Sequence, residues 1–326
     1  MNLRLYDKTM GYTLMEKAYP NPITHDNSLT ETITHLDHFG ANGYYKEIFF
    51  EGIHIGYGNA KLAREVNLGF ETDFETIEMH FALKGKSSAI AEKFGKSISF
   101  DSYRHNIIYA NGLCGEMKWE EDIFQLCEIN LAPHFFKRFL PENHKIYDSF
   151  RNTIEQQNSN LLNTQHYQIT LQMHQIIHDI TDCKREGIFK RMFLESKVIE
   201  LLMLQLEQFT YNESFTTSTL KKKDSDKIHA VREYIINHID STYSLIDLAH
   251  LVGTNEFMLK KGFKELFGTT VFSFWNDLKM EKAKALLIDN QLNIGDVSYQ
   301  MGYQNQRSFS AAFKRKYGIL PSQIKK

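Results

Sequence analysis

The last third of this chain is written twice, and that repeat constrains its fold more than any other feature. SLIDLAHLVGTNEFMLKKGFKELFG, residues 244–268, aligns with NIGDVSYQMGYQNQRSFSAAFKRKYG, residues 293–318. Leu245, Asp247, Leu248 and Gly253 match Ile294, Asp296, Val297 and Gly302. After one extra residue in the second copy, Leu259, Phe263, Lys264, Phe267 and Gly268 match Phe309, Phe313, Lys314, Tyr317 and Gly318. Core positions, turn glycines and exposed polar positions repeat together, which is the signature of a duplicated helix-turn-helix unit.

Each copy reads as helix, turn, helix. Ser244 and Asn293 are placed to cap a first helix whose third residue is Asp247 or Asp296, an acid at the positive helix end. Gly253 and Gly302 end those helices, and Asn255 and Asn305 are placed to cap the second ones. Leu259 and Phe263, or Phe309 and Phe313, face inward. The outward positions at the start of each second helix are Glu256, Phe257, Lys260 and Lys261, and Gln306, Arg307, Ser310 and Ala311. A helix entering the major groove needs a slim leading end with base-reading groups and cations near its phosphates. These eight residues are the candidate base readers, and Lys264, Lys314, Arg315 and Lys316 the candidate phosphate contacts. The competing reading is an ordinary amphipathic helix with a solvated polar face. Two copies with matching turns weigh against it.

Charge points the same way. Residues 221–326 hold 17 Lys plus Arg against 11 Asp plus Glu, a net of +6. Residues 1–220 hold 21 against 29, a net of −8. A polyanion partner therefore suits the back of the chain alone. Between the copies, FSFWNDLKMEKAKALLIDN reads as one long helix, with Trp275, Leu278, Ala283, Leu286 and Leu287 available for packing. Such a strut would hold two reading helices about 34 Å apart, one turn of DNA, if both enter successive major grooves.

Residues 226–326 resemble the DNA-binding domain of the AraC/XylS family of bacterial transcription regulators. The two helix-turn-helix units, the LKMEKAKALL run and the closing GYQNQRSFSAAFKRKYGILPSQIKK carry the resemblance. Gly262 stands where that family usually has a larger residue, and Ala311 where it often has a longer polar one.

The first 140 residues read mostly as strand. In TIEMHFALKGK, Ile77, Met79, Phe81 and Leu83 alternate with Glu78, His80 and Ala82, the period of a half-buried strand. IFFEGIHIGYGN, ISFDSYRHNIIYANG and DIFQLCEINL are similar runs, so a small sandwich or barrel is expected. RNTIEQQNSNLLNTQ reads as loop or frayed helix. HYQITLQMHQIIHDITDCK puts Ile169, Met173, Ile176, Ile177 and Ile180 at helical spacing. After Gly187, a longer helix carries Ile188, Met192, Ile199, Leu202 and Leu206 on one face, with Phe193, Leu201 and Leu204 beside it. That apolar surface needs a neighbour or a second copy of the chain.

INLAPHFFKRFLPE and GIFKRMFLESKVIELLMLQLE make the front of the chain similar to the PchR-like branch of the family. The resemblance implies a cupin-like effector domain, helices used in dimerisation, RNA polymerase as a partner, and an effector that is a siderophore or otherwise iron-linked. The expected architecture is α+β and multidomain: an effector domain over 1–140, a helical connector over 141–212, a linker over 213–225, and an all-α DNA-binding domain over 226–326. TYNESFTTSTLKKKDSDK, polar and poor in apolar residues, is the basis for the linker.

Other functions find little support. No window approaches the ~18 consecutive apolar residues of a membrane span. The N-terminus lacks a signal core, and Cys114, Cys127 and Cys183 lack metal or redox spacing, so a cytoplasmic protein with reduced thiols is expected. Eleven histidines lie in residues 1–220, but His25, His35, His38, His54, His80 and His105 form no His-x-His pattern with a following carboxylate. Phosphate loops and Gly-x-Ser-x-Gly elbows are absent. The reading is an effector-responsive activator that binds double-stranded DNA as a homodimer, with no enzyme activity, cofactor, metal or membrane partner. A ligand-independent repressor and a cupin-type metal-dependent protein fused to a DNA-binding domain are the alternatives. The sequence names no effector-binding residue.

Overall fold

Alternating side chains build the front of the chain into two facing sheets. The computed structural model describes residues 2–324 except 9–10, 12, 20–28, 37–40, 96, 121, 212–219, 221, 240, 242, 268 and 289–291. The chain divides into two units, Met1–Phe215 and Thr216–Lys326.

The strands of the first unit are β1 (Asn2–Asp7), β2 (Thr13–Ala18), β3 (Thr30–His35), β4 (Ala41–Phe50), β5 (Ile53–Leu62), β6 (Val66–Thr72), β7 (Glu75–Lys84), β8 (Ser87–Ala91), β9 (Ser97–Phe100), β10 (Arg104–Asn111), β11 (Cys114–Trp119), β12 (Ile123–Leu131), β13 (Asn160–Leu161) and β14 (Tyr167–Gln168). The smaller sheet runs β2-β1-β6-β11-β8-β9, and the larger β13-β10-β7-β12-β5-β4-β3 with β14 beside β10. Pairing is antiparallel, with β5, β7 and β12 forming the centre of the larger sheet. Between β4 and β5 the two-residue turn is Glu51-Gly52, with φ of 41° and 76°. Positive φ at both central positions matches the twist of a tight hairpin, and Gly52 adopts it without a Cβ clash.

The larger sheet has a different neighbour on each face. Ile55, Ile77, Met79, Phe81, Ile107 and Ile129 point to one side and join a core shared with the helices that follow. The intervening residues, among them Tyr45, His54, Glu78, His80 and Glu128, point to the other side, where a cavity lies against the smaller sheet. The period of two in TIEMHFALKGK is present as expected, but its polar face looks into the protein.

The helices are α1 (Pro133–Lys137), α2 (Lys145–Glu155), α3 (Leu171–Thr181) and α4 (Gly187–Tyr211). Thr170 caps α3 by accepting from the Met173 amide at 3.2 Å, which leaves Ile169 outside the helix although fully buried. One expectation is corrected here, the buried face of α4, and two segments are placed. RNTIEQQNSNLLNTQ is helical through Glu155, because Phe150 and Ile154 one turn apart reach the core. Within residues 141–212, Tyr147, Phe150, Ile154 and the buried apolar residues of α3 and α4 share one core with the strands. The buried face of α4 is Leu194, Val198, Leu201, Leu202, Leu206 and Phe209, while Ile188 and Met192 are 57% and 60% exposed. Gln205 causes that rotation: it is fully buried on the same face and its amide donates to His105 Nδ1 at 2.9 Å. Each Leu or Phe so buried contributes roughly 1.5–3 kcal/mol.

The second unit is all helix: α5 (Lys222–Asn237), α6 (Leu245–Leu251), α7 (Glu256–Phe267), α8 (Val271–Ile288), α9 (Ile294–Gln300), α10 (Gln306–Tyr317) and α11 (Pro321–Ile324). The expected linker lies mostly outside the described residues, and α5 starts at Lys222, before its expected end at 225. Ile228, Val231 and Ile235 of α5 are buried, so that segment gains more from packing than from remaining solvated.

Candidate nucleic-acid interface and an interior cavity

Both repeats fold as helix-turn-helix, and matching hydrogen bonds fix their turns. Ser244 Oγ accepts from the Asp247 amide at 3.1 Å while Asp247 accepts from the Ser244 amide at 2.9 Å, a reciprocal capping box on α6. Asn293 Oδ1 accepts from the Asp296 amide at 2.9 Å on α9. Gly253 and Gly302 then take φ of 65° and 77°, reversing the chain where a Cβ would be strained. The Thr254 amide reaches back to the Ala249 carbonyl, and the Tyr303 amide to the Ser298 carbonyl, at 2.9 and 3.1 Å. The second helices start alike: Asn255 accepts from the Met258 amide and Asn305 from the Ser308 amide, both at 2.8 Å. Losing such a cap costs about 0.5–2 kcal/mol.

Each second helix is anchored by a buried pair and presents the intervening residues to solvent. Leu259 and Phe263 of α7, and Phe309 and Phe313 of α10, are fully buried. The second copy has its own core of Met280, Ala283, Leu287, Val297, Met301 and these phenylalanines, so α8 is shared packing as well as a connection. Phe257, Lys260, Lys261 and Lys264 are exposed on α7, with Glu256 half-buried and paired to Lys260 at 2.8 Å. Gln306, Arg307, Ala311, Lys314 and Arg315 are exposed on α10, with Ser310 half-buried. Lys316 stands apart from this set. Its ammonium is held by Asp277 at 3.0 Å and Glu281 at 3.2 Å, both on α8.

Gly262 has a packing explanation. A Cβ there would lie 2.8 Å from Ile228 Cγ1 and 3.3 Å from Leu220 Cδ1, so the glycine permits close approach of α7 to α5. The corresponding position of α10 is Ala312, also buried.

Residues 46–220, more than half of the chain, match the family model described as the regulatory protein PchR N-terminal domain. Residues 248–326 match a helix-turn-helix domain. The chain belongs to the AraC/XylS family. Its front unit is of the PchR type and its back unit is a helix-turn-helix domain of the AraC type.

Among the relatives of this AraC/XylS protein is the regulatory protein PchR of Pseudomonas aeruginosa, 31% identical over 124 residues, 37% of this chain and 42% of that one. The xylose operon regulatory protein of Escherichia coli is 33% identical over 92 residues, 28% of this chain and 24% of that one. The chain thus spans less than half the length of these curated relatives. Among solved structures, the C-terminal domain of AraT, a response regulator from Geobacillus stearothermophilus, is 28% identical, covering 33% of this chain and 87% of that one with a TM-score of 0.30.

The PchR-type unit of this AraC/XylS chain also holds a cavity of about 340 Å³ between its sheets, within the size range of small-molecule sites. Leu5, Leu68, Phe70, Met117 and Phe124 supply apolar wall. The larger sheet supplies the polar one. Tyr45 donates to Glu128, and the His80 Nδ1 lies 2.7 Å from Glu78. His54 Nε2 lies 3.1 Å from Glu47, while Asn130 donates to His54 Nδ1 at 3.3 Å. Burial, more than any charge, depresses the His54 pKa to about 4, so the ring is neutral. Burial and the Glu78 charge raise the Glu128 carboxyl above its ordinary range. Among the described residues, no group of three or more His, Cys, Asp or Glu could hold a metal ion. His25 and His38 lie outside those residues.

Sequence reasoning missed this wall because its signal was the polar half of an ordinary alternation. The IGYGN run offered one hint. Gly56 and Gly58 remove two side chains from the cavity face of β5, and Tyr45 fills the space.

Proposed function

We propose that this regulator reads two adjacent major-groove segments, with α7 and α10 as the reading helices, and that a small molecule in the front cavity adjusts its action. The observation that carries this reading is the pair of helix-turn-helix units, each with its own buried core and the same capped turn. Exposed side chains at the start of both reading helices suit base edges, and Lys264, Lys314 and Arg315 suit phosphate. Activation through RNA polymerase and action as a cytoplasmic homodimer belong to the same proposal, supported by family resemblance. The exposed Ile188, Phe189, Met192 and Met203 of α4 support the dimer, because a second copy could cover them. No helix of the described residues is long and apolar enough to cross a membrane.

The cavity favours an effector-responsive regulator over a ligand-independent repressor, since DNA binding alone gives no reason to keep a space of that size unfilled. An iron-linked effector remains the expectation carried by the PchR branch. A ligand would act only through different affinities for two arrangements of the protein. The test is selection of bound duplexes from a randomised pool by the full-length chain at near-physiological salt. Two enriched blocks about one helical turn apart support paired reading. An unenriched pool would remove it.

A further inference from the structure

The charges around the cavity do not balance. Glu75, Glu78 and Glu128 line it, and no lysine or arginine does so among the described residues. Nearby Glu47 is already matched by Lys17 and also accepts from Tyr19 at 2.8 Å. Glu75 accepts from Tyr109 at 2.7 Å. Glu78 and Glu128 have weaker compensation. They occupy adjacent strands, where Glu128 pairs across from His80 and Glu78 from Asn130, so they are diagonal neighbours on one face. Glu78 has the His80 ring beside it, and Glu128 has the Tyr45 hydroxyl.

The hydrogen-bonding groups are biased too. With His80 Nδ1 donating to Glu78, its Nε2 is an acceptor; that atom is buried and has no partner among the described residues. The His80 ring stacks on Phe100, another cavity residue, with centroids 4.0 Å apart. Glu78 and Glu128 therefore stand as acceptors on one side of a cavity whose other side is mostly hydrocarbon. An anionic head would add a third negative charge to a poorly solvated pair. A cationic head would donate to both carboxylates and offset one of their two charges.

We infer that the cavity takes an apolar small molecule bearing a cationic nitrogen, an ammonium or amidinium, seated against Glu78 and Glu128. This rests on the effector-responsive reading above and names a cationic ligand in place of the iron-linked one. Burial and the Glu78 charge already raise the Glu128 carboxyl, and a bound cation would oppose both effects.

The test is calorimetric titration of the full-length chain at neutral pH with three probes that share one apolar body: phenylbutylamine, phenylbutanol and phenylbutyrate. The amine should bind at least about tenfold more tightly than the acid, a difference of about 1.4 kcal/mol, with the alcohol between them. In Glu78→Gln/Glu128→Gln the preference for the amine over the acid should fall to about twofold or less. Glu116→Gln, which removes an exposed carboxylate outside the cavity, should leave it intact. Equal or tighter binding of the acid by the unaltered chain overturns the proposal whatever the variants do. A preference retained by the double variant does so as well, as does the failure of all three probes to bind. DNA selection on the untreated protein then shows separately whether the regulator reading stands.

Discussion

The Tyr45 hydroxyl occupies the space that a Cβ on Gly56 would claim, 2.1 Å from its ideal position. From there it donates to Glu128, so a missing side chain on β5 sets the orientation of a phenol on β4 and a carboxylate on β12. Gly56→Ala should therefore displace the ring, break that hydrogen bond and lower stability by about 1–3 kcal/mol in urea denaturation. Gly58→Ala is the control, because its Cβ would meet Tyr45 Cδ2 at an ordinary 3.5 Å. Equal losses at both positions would show that strand flexibility, not the Tyr45 contact, is what the glycines supply.

His105 offers a pH test in the same unit. Its Nε2 lies 2.7 Å from Gln208 Oε1 and its Nδ1 accepts from Gln205, which fixes the neutral Nε2–H tautomer. Burial depresses its pKa to about 4, as it does for His54. The unfolded chain, with histidines near 6.5, binds more protons than the folded one between those values, so stability is full above pH 7 and falls as pH drops from 6.5 toward 4. By pH 5 the loss should be roughly 2 kcal/mol per histidine. Imidazole NMR shifts should show both rings still neutral at pH 5.5; a ring protonated there would contradict the assignment.

On α10 the structure separates three cations that the sequence places side by side. Lys314→Ala should weaken DNA binding uniformly across sequences and reduce the salt slope by about one unit. Lys316→Ala should leave that slope unchanged, because its ammonium is already held by Asp277 and Glu281. A flattened slope for Lys316→Ala would mean that those pairs open on DNA.

Arg307→Ala should cost about 1–3 kcal/mol and relax selection at a single base position. Repeating the duplex selection with the variant reads this directly. A loss spread evenly over all sequences would reassign Arg307 to the phosphate backbone.

Gly262 and Ile228 should behave as a coupled pair. Gly262→Ala ordinarily gains about 1 kcal/mol in a helix, yet here its Cβ meets a stiff β-branched side chain at 2.8 Å. The single change should therefore destabilise, and Ile228→Ala with Gly262→Ala should cost less than the sum of the two alone. Simple additivity in the double-mutant cycle would remove the close approach as the reason for the glycine.

The second unit was legible because its signals are local. Caps at Ser244, Asn255, Asn293 and Asn305 act within three residues of themselves, and the turn glycines act on their own φ. Where the sequence misled, the deciding partner was distant. The face of α4 turned on Gln205, a polar residue whose burial makes sense only beside His105, a hundred positions earlier. The cavity wall was hidden for the same reason: Glu78, His80 and Glu128 alternate with apolar residues as a solvent-facing edge would, and only a second sheet encloses them. Likewise, Lys316 looks like its neighbours until α8 is placed beneath it.

The larger sheet assigns its two jobs to alternate residues of the same strands. Along β7, Ile77, Met79 and Phe81 join the core with the helices, while Thr76, Glu78 and His80 face the cavity. Substitution at Glu78, His80 or Glu128 can therefore change what the cavity accepts while Ile77, Met79 and Ile129 keep the core intact. Descendants of one such protein could acquire responses to unrelated molecules through a few point changes, with the scaffold inherited whole.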